Sequence, residues 1–232
     1  MQSSKNIFSD FVHLFYPNIC QSCGNSLKSF ETVICTYCYV HLPLTGFVND
    51  ASNSVFELFW GRTHIEFASA YLYFHKGNSV QTLMHRFKYK GIKPIGHKLG
   101  YLYGKEIVES SFYQDIDVII PVPLHPKKLR QRGFNQSDLI AAGISEATNI
   151  PLDTSTLSRI LYSETQTRKS RFERWQNVKE IFSSENENLK DKHILLVDDT
   201  VTTGATLESC TNSLLQTEGV RVSVGAIAVA SY

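Results

Sequence analysis

Residues 194–206 read Ile-Leu-Leu-Val-Asp-Asp-Thr-Val-Thr-Thr-Gly-Ala-Thr. Four consecutive apolar residues, Ile194 to Val197, are the pattern of a strand covered on both faces, as in a parallel sheet flanked by helices. The chain is expected to turn after Val197 and bring out Asp198 and Asp199 where open α/β sheets bind ligands. Two adjacent carboxylates there can accept hydrogen bonds from the vicinal hydroxyls of a sugar. Thr200, Thr202 and Thr203 add hydroxyl and backbone donors, and Gly204 lets the backbone approach an anion. Residues 205–216 have helix-forming character, so a phosphate would lie at a helix N-terminus, and Gly219 is the expected stop of that helix. The plainer alternative is an Asp-rich loop that only caps a helix.

This stretch resembles the phosphoribosyl-pyrophosphate (PRPP) motif of type I phosphoribosyltransferases: four apolar residues, an acidic pair, then a threonine-rich turn around one glycine. The resemblance implies that Asp198 and Asp199 hold the ribose hydroxyls. It also implies that Thr200, Thr202, Thr203, Gly204, Ala205 and Thr206 wrap the 5′-phosphate.

Outward from that motif the chain alternates elements. Strands are expected over 65–74 and 117–120, and helices over 79–89 (stopped by Gly91), 99–110 and 135–148, the last with Asn135 as cap. Strands separated by helices imply βαβ units, hence an α/β fold with a parallel sheet. Length fits one such domain with an appendage: 232 residues bury a sizeable core, with 42% apolar and 19% charged residues. A net charge of +1 gives no global pull toward nucleic acid or membrane, so such binding must come from local patches. The apolar residues from Ile7 to Tyr16 are broken by Asp10 and His13, with no small-residue cleavage site after them, so no signal peptide is expected. No run is long enough for membrane insertion, and a cytoplasmic protein is the expectation.

Four of the five cysteines lie in one N-terminal window as Cys20-x-x-Cys23 and Cys35-x-x-Cys38. That is zinc-ribbon or knuckle spacing, in which each pair presents two thiolates from a tight turn and four complete a closed, structural shell. Two disulfides conflict with the absence of an export signal, and zinc is favoured over an iron–sulfur cluster. His41 is close enough to substitute, but four cysteines already satisfy a metal. Cys210 reads as a buried small apolar residue. The N-terminal module is expected over 1–62: a short helix at 7–15, the ribbon, and a linker from 42 whose aromatics Phe59 and Trp60 could dock it. The main domain follows over 63–232.

Two basic patches stand out. Residues 121–136, Pro-Val-Pro-Leu-His-Pro-Lys-Lys-Leu-Arg-Gln-Arg-Gly-Phe-Asn-Gln, form a proline-stiffened loop after a strand, where Lys127, Arg130 and Arg132 could meet a pyrophosphate or a nucleic-acid backbone. The second runs through Arg168, Lys169, Arg171 and Arg174, interleaved with Phe172 and Trp175. It suits phosphate contact with base stacking, a lid that excludes water, or simple packing of its aromatics on the body.

Together these landmarks resemble the ComF family along nearly the whole chain. The resemblance is carried by the four-cysteine module, Phe87-Lys88-Tyr89-Lys90-Gly91, the Pro-Val-Pro-Leu-His-Pro to Arg-Gly-Phe-Asn-Gln segment, Gln166-Thr167 with Arg174 and Asn177-Val178, and the acidic, threonine-rich loop. It implies a type I phosphoribosyltransferase-like domain with a zinc module, and a part in natural transformation, handling incoming single-stranded DNA with a helicase-like partner. Two functions remain open. One is a module that binds PRPP, a nucleotide or single-stranded DNA. The other is a magnesium-dependent transferase that passes the phosphoribosyl group of PRPP to a nitrogen nucleophile; no stretch announces a base pocket.

Overall fold

The computed structural model describes residues 18–160, 181–184 and 187–230. The expected helix over 7–15 and the basic patch around Arg168, Arg171, Arg174 and Trp175 therefore lie outside the described residues.

Four parallel strands form the central sheet: β1 (Ala68–Phe74), β2 (Val118–Pro121), β5 (His193–Val201) and β6 (Arg221–Ala230), in the order β1-β6-β5-β2. Along β5 the side chains alternate between two cores. Leu195 and Val197 join the cluster beneath helices α3 (Ser79–Tyr89), α4 (Pro94–Glu109) and α6 (Gln136–Thr148), while Ile194 and Leu196 join the cluster containing Leu207, Cys210 and Leu214 of α7 (Ala205–Leu214). A strand with a core on each side has no wet face, which is why the sequence shows an unbroken apolar run. β2 and β5 are neighbours, yet the helices that follow them pack on opposite faces. Their carboxyl ends therefore mark the switch point where ligands enter open α/β sheets.

Helix α3 begins and ends where the sequence places it, with Asn78 Oδ1 capping Gln81 N–H at 2.9 Å and Gly91 at φ +66 beyond its end. Helix α4 starts earlier than expected, because Pro94 sits in its first turn and extends it by five residues before Leu99. It lies backbone to backbone on α6: a Cβ on Gly100 would meet the Ile140 carbonyl at 2.1 Å, and one on Gly143 the His97 carbonyl at the same distance.

Several expectations are corrected. The strand at 194–197 does not turn after Val197; its ladder with β6 continues through Asp198↔Ala226, Thr200↔Ala228 and Val201↔Val229, because β6 stays apolar to Ala230 and keeps pairing. Gly219 does not stop α7, which ends at Leu214; at φ +74 it shapes the turn into β6, where any Cβ would collide with Asp191. The basic loop is partly helical: Pro126–Arg132 forms α5, started by Pro126 and closed by Gly133 at φ +76.

Residues 42–62 are more than a linker. Leu44 bridges Leu72 at the edge of β1, short helix α1 (Thr36–Val40) precedes this stretch and α2 (Ser54–Glu57) lies within it, and the buried Asn53 donates to the Ala68 carbonyl at 2.8 Å. Phe59 is fully buried, as its docking role requires, whereas Trp60 remains 60% exposed. A two-stranded antiparallel hairpin, β3 (Leu157–Ile160) with β4 (Ile181–Ser184), completes the described elements.

Candidate functional site

At the end of β5 the two carboxylates diverge to different partners. Ser137, in the first turn of α6, donates its hydroxyl to Asp198 Oδ1 at 3.0 Å, and the Asp199 backbone N–H donates to the same oxygen at 2.7 Å. Lys88, near the end of α3, donates to Asp199 Oδ1 at 2.8 Å and to Thr200 Oγ1 at 3.2 Å. Burial, then the charge of neighbouring Asp199, pushes the Asp198 carboxyl up to about 7.

Beyond the acids, residues 200–207 curl into a cup of about 50 Å³ that Asp198 also lines. Gly204 sits at φ +74 as the cap of α7 and offers no side chain to the helix's first N–H groups. An anion in the cup would meet those donors and the positive end of a ten-residue helix. An adjoining cleft of about 160 Å³ shares Asp198 and Thr206 with the cup and adds Asp199, Lys88, Lys128, Arg132 and Arg159. Its charges thus divide into two acids and four cations, an arrangement matched to a sugar diol beside a polyanion.

The structure gathers Asp198, Asp199, Thr200, Thr202, Thr203, Gly204, Ala205 and Thr206 as one lining. Of the three cations proposed from the proline-stiffened segment, Arg132 faces the cleft, its guanidinium bound to Gln136 Oε1 at 2.8 Å. Lys127, Lys128 and Arg130 are all exposed on α5, and of the three it is Lys128 that borders the cleft. Sequence reasoning assigned no role to Lys88, Ser137, Lys128 or Arg159. Lys88 and Ser137 had a signal, since both stand in or beside stretches singled out for other reasons; Arg159 had none.

Arg62 is a second surprise. Its guanidinium donates to the carbonyls of Leu58 and Thr203, at 2.9 and 2.7 Å, and pairs with Glu208 of α7. The Phe59 ring lies 3.4 Å from where a Gly204 Cβ would stand. Residues 58–62 therefore form the floor of the cup.

In the N-terminal module the four thiols of Cys20, Cys23, Cys35 and Cys38 lie within 4.8 Å of one another. The Cys23–Cys35 sulfur separation is 3.8 Å, and a tetrahedral zinc with ~2.3 Å bonds requires an edge of about 3.8 Å. The cluster could hold such a metal. Burial, reinforced by hydrogen bonds from neighbouring thiols, pushes Cys38 up to about 12, so ionising all four needs a cation between them. Only the first pair sits in a tight turn, with Gly24 at φ +83; Cys35 instead caps α1 and Cys38 lies within that helix. His41 turns away to the Tyr37 carbonyl and is outside the cluster. Cys210 is buried in the α7 core.

Residues 150–231 match the phosphoribosyl transferase domain family. Competence protein F of Haemophilus influenzae is 29% identical over 216 residues, covering 90% of this chain and 89% of that protein. Competence protein ComFC of Bacillus subtilis is 27% identical, covering 93% and 86%. The DNA utilization protein YhgH of Salmonella typhimurium is 32% identical over 148 residues; the chain spans 65% of it, a little under two thirds. Among solved structures, the PRPP amidotransferase of Bacillus subtilis overlays 55% of this chain and 26% of its own at a TM-score of 0.37, too slight a likeness to argue from. The parallel sheet, the acidic pair before a threonine-rich turn, the four-cysteine module and the two competence proteins lead to one conclusion: the chain is similar to the ComF proteins along most of its length and carries a phosphoribosyltransferase-type domain.

Proposed function

We propose that the chain serves DNA uptake in transformation through a site that takes PRPP or a related nucleotide. The observation that carries this reading is the convergence of Asp198, Asp199 and the 200–207 cup with four cations at the sheet's switch point. The cup takes the 5′-phosphate on backbone and threonine donors at the head of α7. Ionised Asp198 and Asp199 accept hydrogen bonds from the ribose hydroxyls, and Lys88, Lys128, Arg132 and Arg159 face the pyrophosphate, which arrives as its magnesium complex. The relatives' names, competence and DNA utilization, support a link to DNA; single-stranded DNA as cargo and a helicase-like partner are part of the proposal. Among the described residues no helix is long and apolar enough to cross a membrane.

The test is calorimetric titration with magnesium-PRPP. Binding to the zinc-loaded protein, lost when Asp198 and Asp199 are both replaced by Asn, is the expected result; equal binding by the double variant sinks the site. A transferase reading is favoured by the cations around the cleft. There a nitrogen nucleophile bonds to C1′ while the bond to pyrophosphate breaks and its electron pair leaves with the cation-held anion. Pyrophosphate release with one nucleobase of a panel would establish it, and PRPP binding without turnover would leave the binding role.

A further inference from the structure

Between Glu66 and Glu106 the chain carries seven of its 23 Lys and Arg residues and none of its 22 Asp and Glu. The overall charge of +1 conceals this segregation. Since β1 is largely buried, the charge falls on α3, α4, their junction and the loop before α3: Lys76, Lys90, Lys93 and Lys105 are exposed, and Arg86 and Lys98 partly so. Two grooves border the junction. One, of about 380 Å³, is lined by His85, Arg86 and Lys90 with Gln81, Thr82 and Ile92, and holds no carboxylate. The other, of about 460 Å³, runs between Thr32 and Val33 of the four-cysteine module and His97, Lys98 and Tyr101 of α4. Its single acid, Glu146, lies 3.1 Å from His97.

Aromatic rings flanked by cations punctuate this surface. Tyr89 is 63% exposed, with the His85 ring at 5.1 Å and the Arg132 guanidinium at 5.4 Å from its ring. Tyr101 has Lys98 at 5.9 Å and Lys105 at 5.4 Å from its ring. Cations alone would suit any polyanion. Rings set among them suit one with exposed aromatic faces, since every base has a face to stack and every linkage a phosphate to neutralise. A duplex hides those faces.

We propose that the α3–α4 face is a track for single-stranded nucleic acid, stacking bases on Tyr89 and Tyr101 and laying phosphates along the lysines of both grooves. Arg132 touches Tyr89 and lines the cleft, so the track abuts the PRPP site. This inference rests on the DNA side of the proposed function and is independent of whether that cleft takes PRPP.

The experiment uses full-length, zinc-loaded protein and a fluorescent oligothymidylate, read by anisotropy across a salt series. Replacing Lys90, Lys98 and Lys105 by Gln should flatten the slope of log affinity against log salt by about 2, at ~0.7 for each phosphate left without its lysine. Tyr89→Ala should weaken binding about tenfold, and Tyr89→Phe should restore it. An unchanged slope in the triple variant overturns the track, as does equal binding of a duplex of the same length, or preference for phosphatidylserine vesicles over the oligonucleotide. Single Lys→Gln variants, each costing about 0.7 in slope, serve if the triple variant fails to fold. Magnesium-PRPP binding should persist in the triple variant. A wild-type protein that ignores PRPP, yet whose triple variant loses oligonucleotide, would overturn the PRPP site and leave the track standing.

Discussion

Replacing Asp198 by Asn should stabilise the protein at alkaline pH. The side-chain oxygen that accepts from Ser137 and from the Asp199 N–H survives as the amide oxygen, so both hydrogen bonds are kept while the charge disappears. The carboxyl's value rises from 3.8 to about 7 on folding, so the fold prefers it protonated. The sign follows: its favourable contribution is full below pH 3.8 and is lost as the pH climbs through 7. A shift of that size corresponds to about 4 kcal/mol at pH well above 7. Because the site opens to solvent, about 2 kcal/mol is the working expectation. In a chain of this length that raises the melting temperature by roughly 4–8 °C. Thermal and urea unfolding of both proteins between pH 5.5 and 8.5 gives the answer. The advantage of Asp198→Asn should grow with pH, from about half its full size at pH 5.5 to its full size at pH 8.5, while its affinity for magnesium-PRPP falls at every pH. A variant less stable than wild type at pH 8.5, or equally altered across the range, would refute the reasoning.

Three further outcomes follow from the geometry. Gly143→Ala pushes a methyl into the His97 carbonyl and should cost about 1–3 kcal/mol in urea unfolding, because neither helix backbone can yield cheaply. Arg62→Ala removes the donor to Thr203, and should weaken magnesium-PRPP binding about tenfold by calorimetry; Arg62→Lys should not rescue it, since an ammonium cannot reach two carbonyls and a carboxylate as a fork does. Elemental analysis should find one zinc per chain, and chelation or Cys38→Ser should lower the melting temperature, as the thiols cannot all ionise without the ion.

The continuous apolar run of β5 announced the parallel sheet, because burial on two faces leaves no other pattern. The four cysteines were equally plain, as two Cys-x-x-Cys pairs in one short window announce a cluster whatever the rest of the fold, and their thiols do converge. The end of β5 was hidden, since nothing local in Asp198-Asp199-Thr200 reports that a distant apolar strand, β6, keeps pairing beside them. The turn of α5 that exchanges Lys128 for Lys127 was hidden for the same reason: which face of a short helix borders the cleft is decided by what it packs on. Arg62 gave no signal at all, because its partners Thr203 and Glu208 lie some 140 residues away, and only the folded chain brings them together.

The floor beneath the cup bears on how such a protein can be divided. The segment carrying the transferase-family match, residues 150–231, holds the acids and the threonine turn, but Phe59 and Arg62 support that turn from below and Lys88 pairs with Asp199. The same early third shares a core with the cysteine module, whose Cys20, Val33 and Ile34 pack with Phe87 in one cluster. A fragment cut after residue 62 would keep every residue of the recognisable motif, and Lys88 with it, but lose Phe59 and Arg62, which support the threonine turn from below. Sequence identity at the motif and competence of the pocket are thus separable properties, and grafting the loop onto another scaffold would transfer only the first.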